Sequence, residues 1–221
     1  RRRGNYLVTI LTVFRGYEYK NPLLFWKISA QRNPKSGTIH NYLGLECIKE
    51  NLYPEAEKEF KKAASRKSLL ESTVNSKMNL ANIYIKQRKY SRALSIIKKY
   101  LTSRPPVGAY QALGIIYMDM GKENKALRAW NKELTIYPDS TKTYLNLGIF
   151  YYRKNNFNKA KFFFKKAISS NPDNNAGYYS LGQILEKENK PAAALRMYKK
   201  AIFLKPDNPY AHYYLGAIYT K

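Results

Sequence analysis

The sequence predicts an all-α fold of antiparallel helix pairs stacked on one another, and three observations predict it. A leucine followed by a small residue recurs at Leu43-Gly44, Leu80-Ala81, Leu113-Gly114, Leu147-Gly148, Leu181-Gly182 and Leu215-Gly216, at intervals of 37, 33, 34, 34 and 34. Twelve residues beyond each of the first five small residues stands an alanine (Ala56, Ala93, Ala126, Ala160, Ala194), and four further on a large apolar residue (Phe60, Ile97, Trp130, Phe164, Tyr198). A proline then closes four of the five units, at Pro105, Pro138, Pro172 and Pro206. Three- and four-residue spacings keep these positions on one helix face, and proline disfavours helix in the residue before it.

The stretch Thr141–Asn174 shows the unit in full. Tyr144, Leu147, Gly148 and Tyr151 share one side of a first helix. Asn155, which tolerates the left-handed conformation that ends helices, makes the turn. Ala160, Phe164, Ala167 and Ile168 share one face of a second helix, and Pro172 stops it. The unit is apolar on more than one side, so it needs neighbours to bury it. Five units follow from the register, about 37–73, 74–106, 107–140, 141–174 and 175–208, with the first helix of a sixth at 209–221. The turn positions are Asn51, Arg88, Gly121, Asn155 and Asn189. The interval of 37 places an insertion near Ser68–Thr73, and the interval of 33 places a deletion near Pro105-Pro106. Asp139, Asp173 and Asp207 each follow a closing proline, which suggests carboxylates that cap the next helix.

Residues 1–36 differ. Counting back 34 from Phe60 gives Trp26, and Pro34 falls eight later, so Pro22–Arg32 reads as a second helix without its own first helix. The place of that first helix is taken by Tyr6–Phe14, nine apolar residues after Arg1-Arg2-Arg3. Nine are too few to span a bilayer, which takes about 20. The run is consistent with the tail of a spanning helix, a signal-peptide core or a buried capping helix, although no small-residue cleavage site follows it.

Composition narrows the chemistry. Of 221 residues 44% are hydrophobic, enough for a packed core. The single cysteine, Cys47, leaves no intramolecular disulfide. Lys and Arg number 40 against 15 Asp and Glu, a net charge of +25, which draws polyanions; a coding bias toward Lys, Asn, Tyr and Ile gives the same balance without a ligand. No HExxH, phosphate loop, GxSxG or CxxC occurs. His40 and His212 occupy equivalent packing positions, Cys47 stands where other units have Tyr84, Tyr117 and Tyr151, and the acidic residues fall mostly at exposed helix positions. No catalytic residue, metal ligand or cofactor is expected.

A period of 34 carrying L-G-x2-Y, A-x3-F and a closing P resembles the tetratricopeptide repeat. The likeness covers Gly37 to Lys221, with Tyr in most places where that family has Trp. It implies a right-handed superhelical solenoid whose first helices line a concave groove holding a peptide or protein partner. The positions expected to face the groove are Asn41, Leu45, Lys49, Met78, Asn82, Lys86, Gln111, Ile115, Leu145, Ile149, Tyr152, Arg153, Tyr179, Gln183 and Lys187, together with Ile48, Ile85, Met118, Asp119 and Glu186. Chaperone-binding members grip a C-terminal carboxylate through a Lys/Asn clamp; Asn79, Asn82 and Asn146 match parts of it, but no three consecutive units supply the set.

Thr12–Trp26 is also similar, through Thr12, Arg15, Tyr19 and Trp26, to the junction between the last membrane helix and the repeats of multi-pass, O-mannosyltransferase-like glycosyltransferases; Gly16 departs from that pattern. The expected function is therefore a non-catalytic interaction scaffold. The alternative is the extramembrane segment of such an enzyme, its chemistry upstream, membrane-associated with the repeats outside the bilayer. A third reading takes Lys61-Lys62, Lys98-Lys99, Lys165-Lys166 and Lys199-Lys200 as a ladder on the outer surface facing an anionic membrane; nucleic acid is disfavoured because nothing resembles a reading helix or stacking sheet.

Overall fold

The computed structural model describes residues 21–65, 70–101, 105–207 and, beyond them, 209, 212–214 and 216. The Tyr6–Phe14 run and most of the Thr12–Trp26 junction lie outside the described residues. Two compact units divide at Pro106/Val107. The first holds α1 (Pro22–Arg32), α2 (Gly37–Lys49), α3 (Tyr53–Ser65), α4 (Leu70–Lys86) and α5 (Tyr90–Lys98). The second holds α6 (Ala109–Asp119), α7 (Glu123–Ile136), α8 (Thr141–Arg153), α9 (Phe157–Ser170), α10 (Asn175–Lys187) and α11 (Pro191–Leu204), followed by helical residues at 209, 212–214 and 216. The fold is all-α, the helix-pair solenoid class that the register predicts.

Within each pair the close approach of two helices rests on a missing side chain. A Cβ placed on Gly44 would lie 2.7 Å from the Phe60 ring, on Gly114 2.2 Å from Trp130, on Gly148 2.4 Å from Phe164 and on Gly182 2.5 Å from Tyr198. The large residue sixteen positions on thus occupies the space the glycine vacates. In the second pair the small residue is Ala81 and its partner is Ile97, both fully buried; the smaller Ile leaves room for a methyl group.

Every described turn uses the left-handed residue expected of it: φ is 60° at Asn51, 57° at Arg88, 71° at Gly121, 56° at Asn155 and 57° at Asn189. The closing hydrogen bonds also repeat. The amides of Leu52, Lys89, Lys122, Asn156 and Lys190 each donate to a carbonyl five residues back, at 2.8–2.9 Å, as a Schellman motif does.

α1 stands at the second-helix position that the register predicts. Asn21 caps it by accepting from the Leu24 amide at 3.0 Å, and Pro22 occupies its first turn. Trp26 stacks on Tyr42 of α2 with centroids 4.8 Å apart. Tyr198 and Tyr214, at the equivalent positions of the last units, stack at 5.6 Å.

The irregular intervals have simple structural outcomes. α4 runs 17 residues where α2, α8 and α10 run 13, so the insertion lengthens a first helix at its start. The deletion leaves α6 with Gly108 at its N-cap, φ 86°, and no capping side chain of its own.

One expectation is corrected here. Asp139 and Asp173 do not cap: the N-cap of α10 is Asn174, which accepts from the Gly177 amide at 3.0 Å, and that of α8 is Ser140. Asp173 and Asp139 sit one residue too early. Two acidic residues, Glu59 and Glu133, are buried. Glu133 replaces the packing alanine found at Ala63, Ala167 and Ala201. Its carboxylate accepts from the amides of Gly108 (2.6 Å), Tyr110 (3.1 Å) and Gln111 (3.2 Å). The second helix of the unit therefore supplies the cap that the Pro-Pro-Val-Gly entry cannot, and a carboxylate at a helix N-terminus also meets the positive end of the helix dipole.

Candidate partner-binding face

Lysine and glutamate side chains carry most of the described ion pairs, at the surface, and no three His, Cys, Asp or Glu groups gather as a metal site among the described residues. Cys47 is buried, and burial pushes its thiol up, away from the reactive thiolate. His40 is buried between α2 and α3. Its Nδ1 lies 2.5 Å from Glu59 Oε2, and its Nε2 3.0 Å from the Pro34 carbonyl oxygen. His212 repeats the second contact, with Nε2 2.7 Å from the Pro206 carbonyl, although its ring is exposed rather than packed inside. Both histidines thus hold the carbonyl of a helix-closing proline six residues back, which is a structural task.

The expected groove positions separate by unit. In the first, Asn41 Oδ1 accepts from Ser76 Oγ and Asn79 Nδ2, each at 3.1 Å. Leu45 is half-buried, and Lys49 is paired with Glu46 at 2.8 Å. Lys86 donates to the Tyr53 hydroxyl at 3.2 Å and sits 5.0 Å from that ring's centre. Asn82 is exposed. Met78 and Ile85 are only 6% and 8% exposed, so they are core residues and not groove residues.

In the second unit the same positions stay more open. Ile115 and Leu145 are half-buried against the cores around Trp130 and Phe164. Gln111 is held through its backbone, whose carbonyl accepts from Trp130 Nε1 at 3.2 Å. Ile149 is 41% exposed, and Arg153 and Lys187 are exposed. Gln183 Nε2 donates to the Tyr179 hydroxyl at 3.0 Å, and the Tyr198 hydroxyl donates to Glu186 Oε2 at 3.2 Å. Tyr152, Gln183, Glu186, Lys187 and Tyr214 surround an open cavity of about 260 Å³. Burial pushes the Tyr152 phenol up, and the neighbouring Tyr214 and Glu186 add to the effect. The hydroxyl therefore stays a neutral donor or acceptor at the cavity wall. Sequence reasoning misses Tyr214: its counterparts Asn146, Ser180 and Ala112 are small or polar, and only Tyr42 in the first repeat hints at an aromatic there.

The cavity is thus built by first helices of successive pairs, with Tyr152 from α8, Gln183, Glu186 and Lys187 from α10, and Tyr214 beyond α11. Family models described as tetratricopeptide repeat match residues 78–107 and 141–174, and one described as TPR repeat matches 187–221. The chain is built of tetratricopeptide repeats. The match at 141–174 coincides with the fourth repeat as the register divides it. Solved tetratricopeptide-repeat structures share the fold. TTC0263, a thermophilic TPR protein of Thermus thermophilus, is 18% identical with a TM-score of 0.71, over 84% of this chain and all of that one. The APC/C hetero-tetramer Cut9–Hcn1 is 18% identical with a TM-score of 0.67, over 96% of this chain and 41% of that chain. MamA is 21% identical with a TM-score of 0.51, over 74% and 95%. At these identities the likeness is one of fold. No curated protein matches the chain in sequence. Among the described residues of these repeats, no helix is long and apolar enough to cross a membrane.

Proposed function

We propose that the chain is a non-catalytic interaction scaffold that takes an extended peptide, or a segment of a protein partner, on the first-helix face of its second unit. The observation that carries this is the open cavity bounded by Tyr152, Gln183, Glu186, Lys187 and Tyr214. Half-buried aromatic rings there offer apolar area at low entropic cost. Gln183 offers an amide for a peptide backbone, and Arg153 and Lys187 offer cations for an acidic side chain. That Cut9–Hcn1, a neighbour in fold, is a hetero-tetramer supports the class of activity. The glycosyltransferase reading rests on Thr12–Trp26 alone; a string of membrane helices upstream in the same chain would support it, and the absence of one would end it.

The test is a displayed peptide library selected on the intact chain. Ile149→Glu and Gln183→Glu should each weaken selected peptides at least about tenfold, the cost of one misplaced charge in a contact, with unchanged circular dichroism and melting. Peptides that bind both variants as they bind the wild type would place the site elsewhere.

A further inference from the structure

The lysine pairs at equivalent repeat positions are not equivalent in the structure. On α3, Lys61 pairs with Glu57 at 2.7 Å and Lys62 with Glu59 at 2.7 Å, so that rung is neutralised by its own helix. α9 (FNKAKFFFKKAISS) and α11 (PAAALRMYKKAIFL) contain no acidic residue at all. They also present two phenylalanines to solvent, Phe162 at 54% and Phe203 at 77% exposed.

These rings stand opposite the core. α9 buries Ala160, Phe164 and Ala167, and α11 buries Ala194, Tyr198 and Ala201. At about 100° per residue, Phe162 lies within roughly 60° of Lys165 and Lys166, and Phe203 within roughly 60° of Arg196 and Lys200. Lys166 Nζ is 5.9 Å from the Phe162 ring centre and Lys200 Nζ is 5.1 Å from that of Phe203. Each helix therefore carries one solvent-facing aromatic ring within a cluster of cations.

We propose that this face of α9 and α11 docks on an anionic lipid bilayer. The cations meet the headgroups, and the two phenylalanines enter the boundary between headgroups and acyl chains. Both parts are needed. Charge alone gives a weak, salt-sensitive attraction; an aromatic ring that costs free energy in water gains by entering the interface, while the lysine beside it keeps its ammonium among the phosphates. A nucleic-acid strand asks for something else, a basic groove with rings in series along it, whereas these rings lie on the outermost lines of two helices. The surface is separate from the first-helix face, so a scaffold so docked could still hold its partner.

The test uses the whole chain and vesicles of equimolar phosphatidylcholine and phosphatidylserine, with phosphatidylcholine alone as control. Co-sedimentation should be seen only with the anionic vesicles and should fall as salt rises. Removing Lys165, Lys166 and Lys200 as glutamines should weaken it on the order of a hundredfold, roughly fivefold per cation. Phe162→Ala with Phe203→Ala should weaken it by at least about tenfold at constant charge, with unchanged melting because both rings are exposed. Independently, Phe203→Trp should give emission that brominated acyl chains quench. Equal binding by the double phenylalanine variant, absence of quenching, or a preference of the wild type for a single-stranded oligonucleotide over the anionic vesicles would each overturn the proposal.

Discussion

Gly148→Ala should destabilise the chain although alanine is the better helix former. The added Cβ would stand 2.4 Å from Phe164 Cε1 and 2.5 Å from Cδ1. Carbon atoms in contact settle near about 3.5–4.0 Å, so ring and helix must part by about 1 Å. Phe164 is fully buried against Ala160, Leu181 and Ile184 and has little room to retreat. Overpacking of that size costs about 3 kcal/mol at the upper end of its range, and helix propensity returns about 1 kcal/mol. The net is about 2 kcal/mol, or about 4–8 °C in melting temperature for a chain of this length. The second repeat shows the remedy, since Ala81 faces Ile97 there. Phe164→Ile alone should cost about 1–3 kcal/mol for the space it leaves. Combined with Gly148→Ala it should cost less than the sum, with a coupling of about 1–2 kcal/mol. Urea unfolding of the four proteins, followed by circular dichroism, reads the cycle. A harmless Gly148→Ala, or strictly additive losses, would refute the claim that the missing methyl sets the helix approach.

Glu133→Ala should cost about 2–4 kcal/mol by stranding the amides of Gly108, Tyr110 and Gln111, and Glu133→Gln, which keeps one acceptor, should fall between. Amide hydrogen exchange at 108–111 should accelerate in both, and unchanged protection would dismiss the cap. His40 and Glu59 occupy the positions of Tyr144 and Phe163, whose rings stack 6.4 Å apart. His40→Tyr alone, which leaves Glu59 held by Lys62, should cost about 1–3 kcal/mol, Glu59→Phe alone a similar amount, and the pair together less than the sum, as denaturant midpoints will show. Burial, with Glu186 close by, pushes the Tyr198 phenol up. The folded state then holds its proton more tightly than the unfolded chain, so this stability is complete below about pH 10 and is lost as pH rises beyond it, at up to about 1.4 kcal/mol per pH unit. Melting measured across that range should fall less steeply for Tyr198→Phe, and equal slopes would count against it.

What the sequence alone determined is the repeating frame. Gly148 and Phe164 are sixteen apart in one repeat and so are Gly182 and Tyr198, and the spacing alone says that a small residue must meet a large one. The left-handed turns at Asn51, Arg88, Asn155 and Asn189 and the helix at Pro22–Arg32 follow from the same counting. These features are local or recur at one period, so each copy confirms the others. The tertiary structure decided what happens where a repeat breaks its own pattern. Glu133 sits where an alanine is expected and looks like a surface carboxylate until the uncapped start of α6 is placed beside it. Met78 and Ile85 have groove spacing but are buried. Such outcomes depend on which residues of other helices lie within a few ångströms, a relation that a one-dimensional period does not carry. The framework was therefore legible in the chain, and the proposed surfaces of the second unit, with Tyr214 and Phe203 among them, were decided by packing.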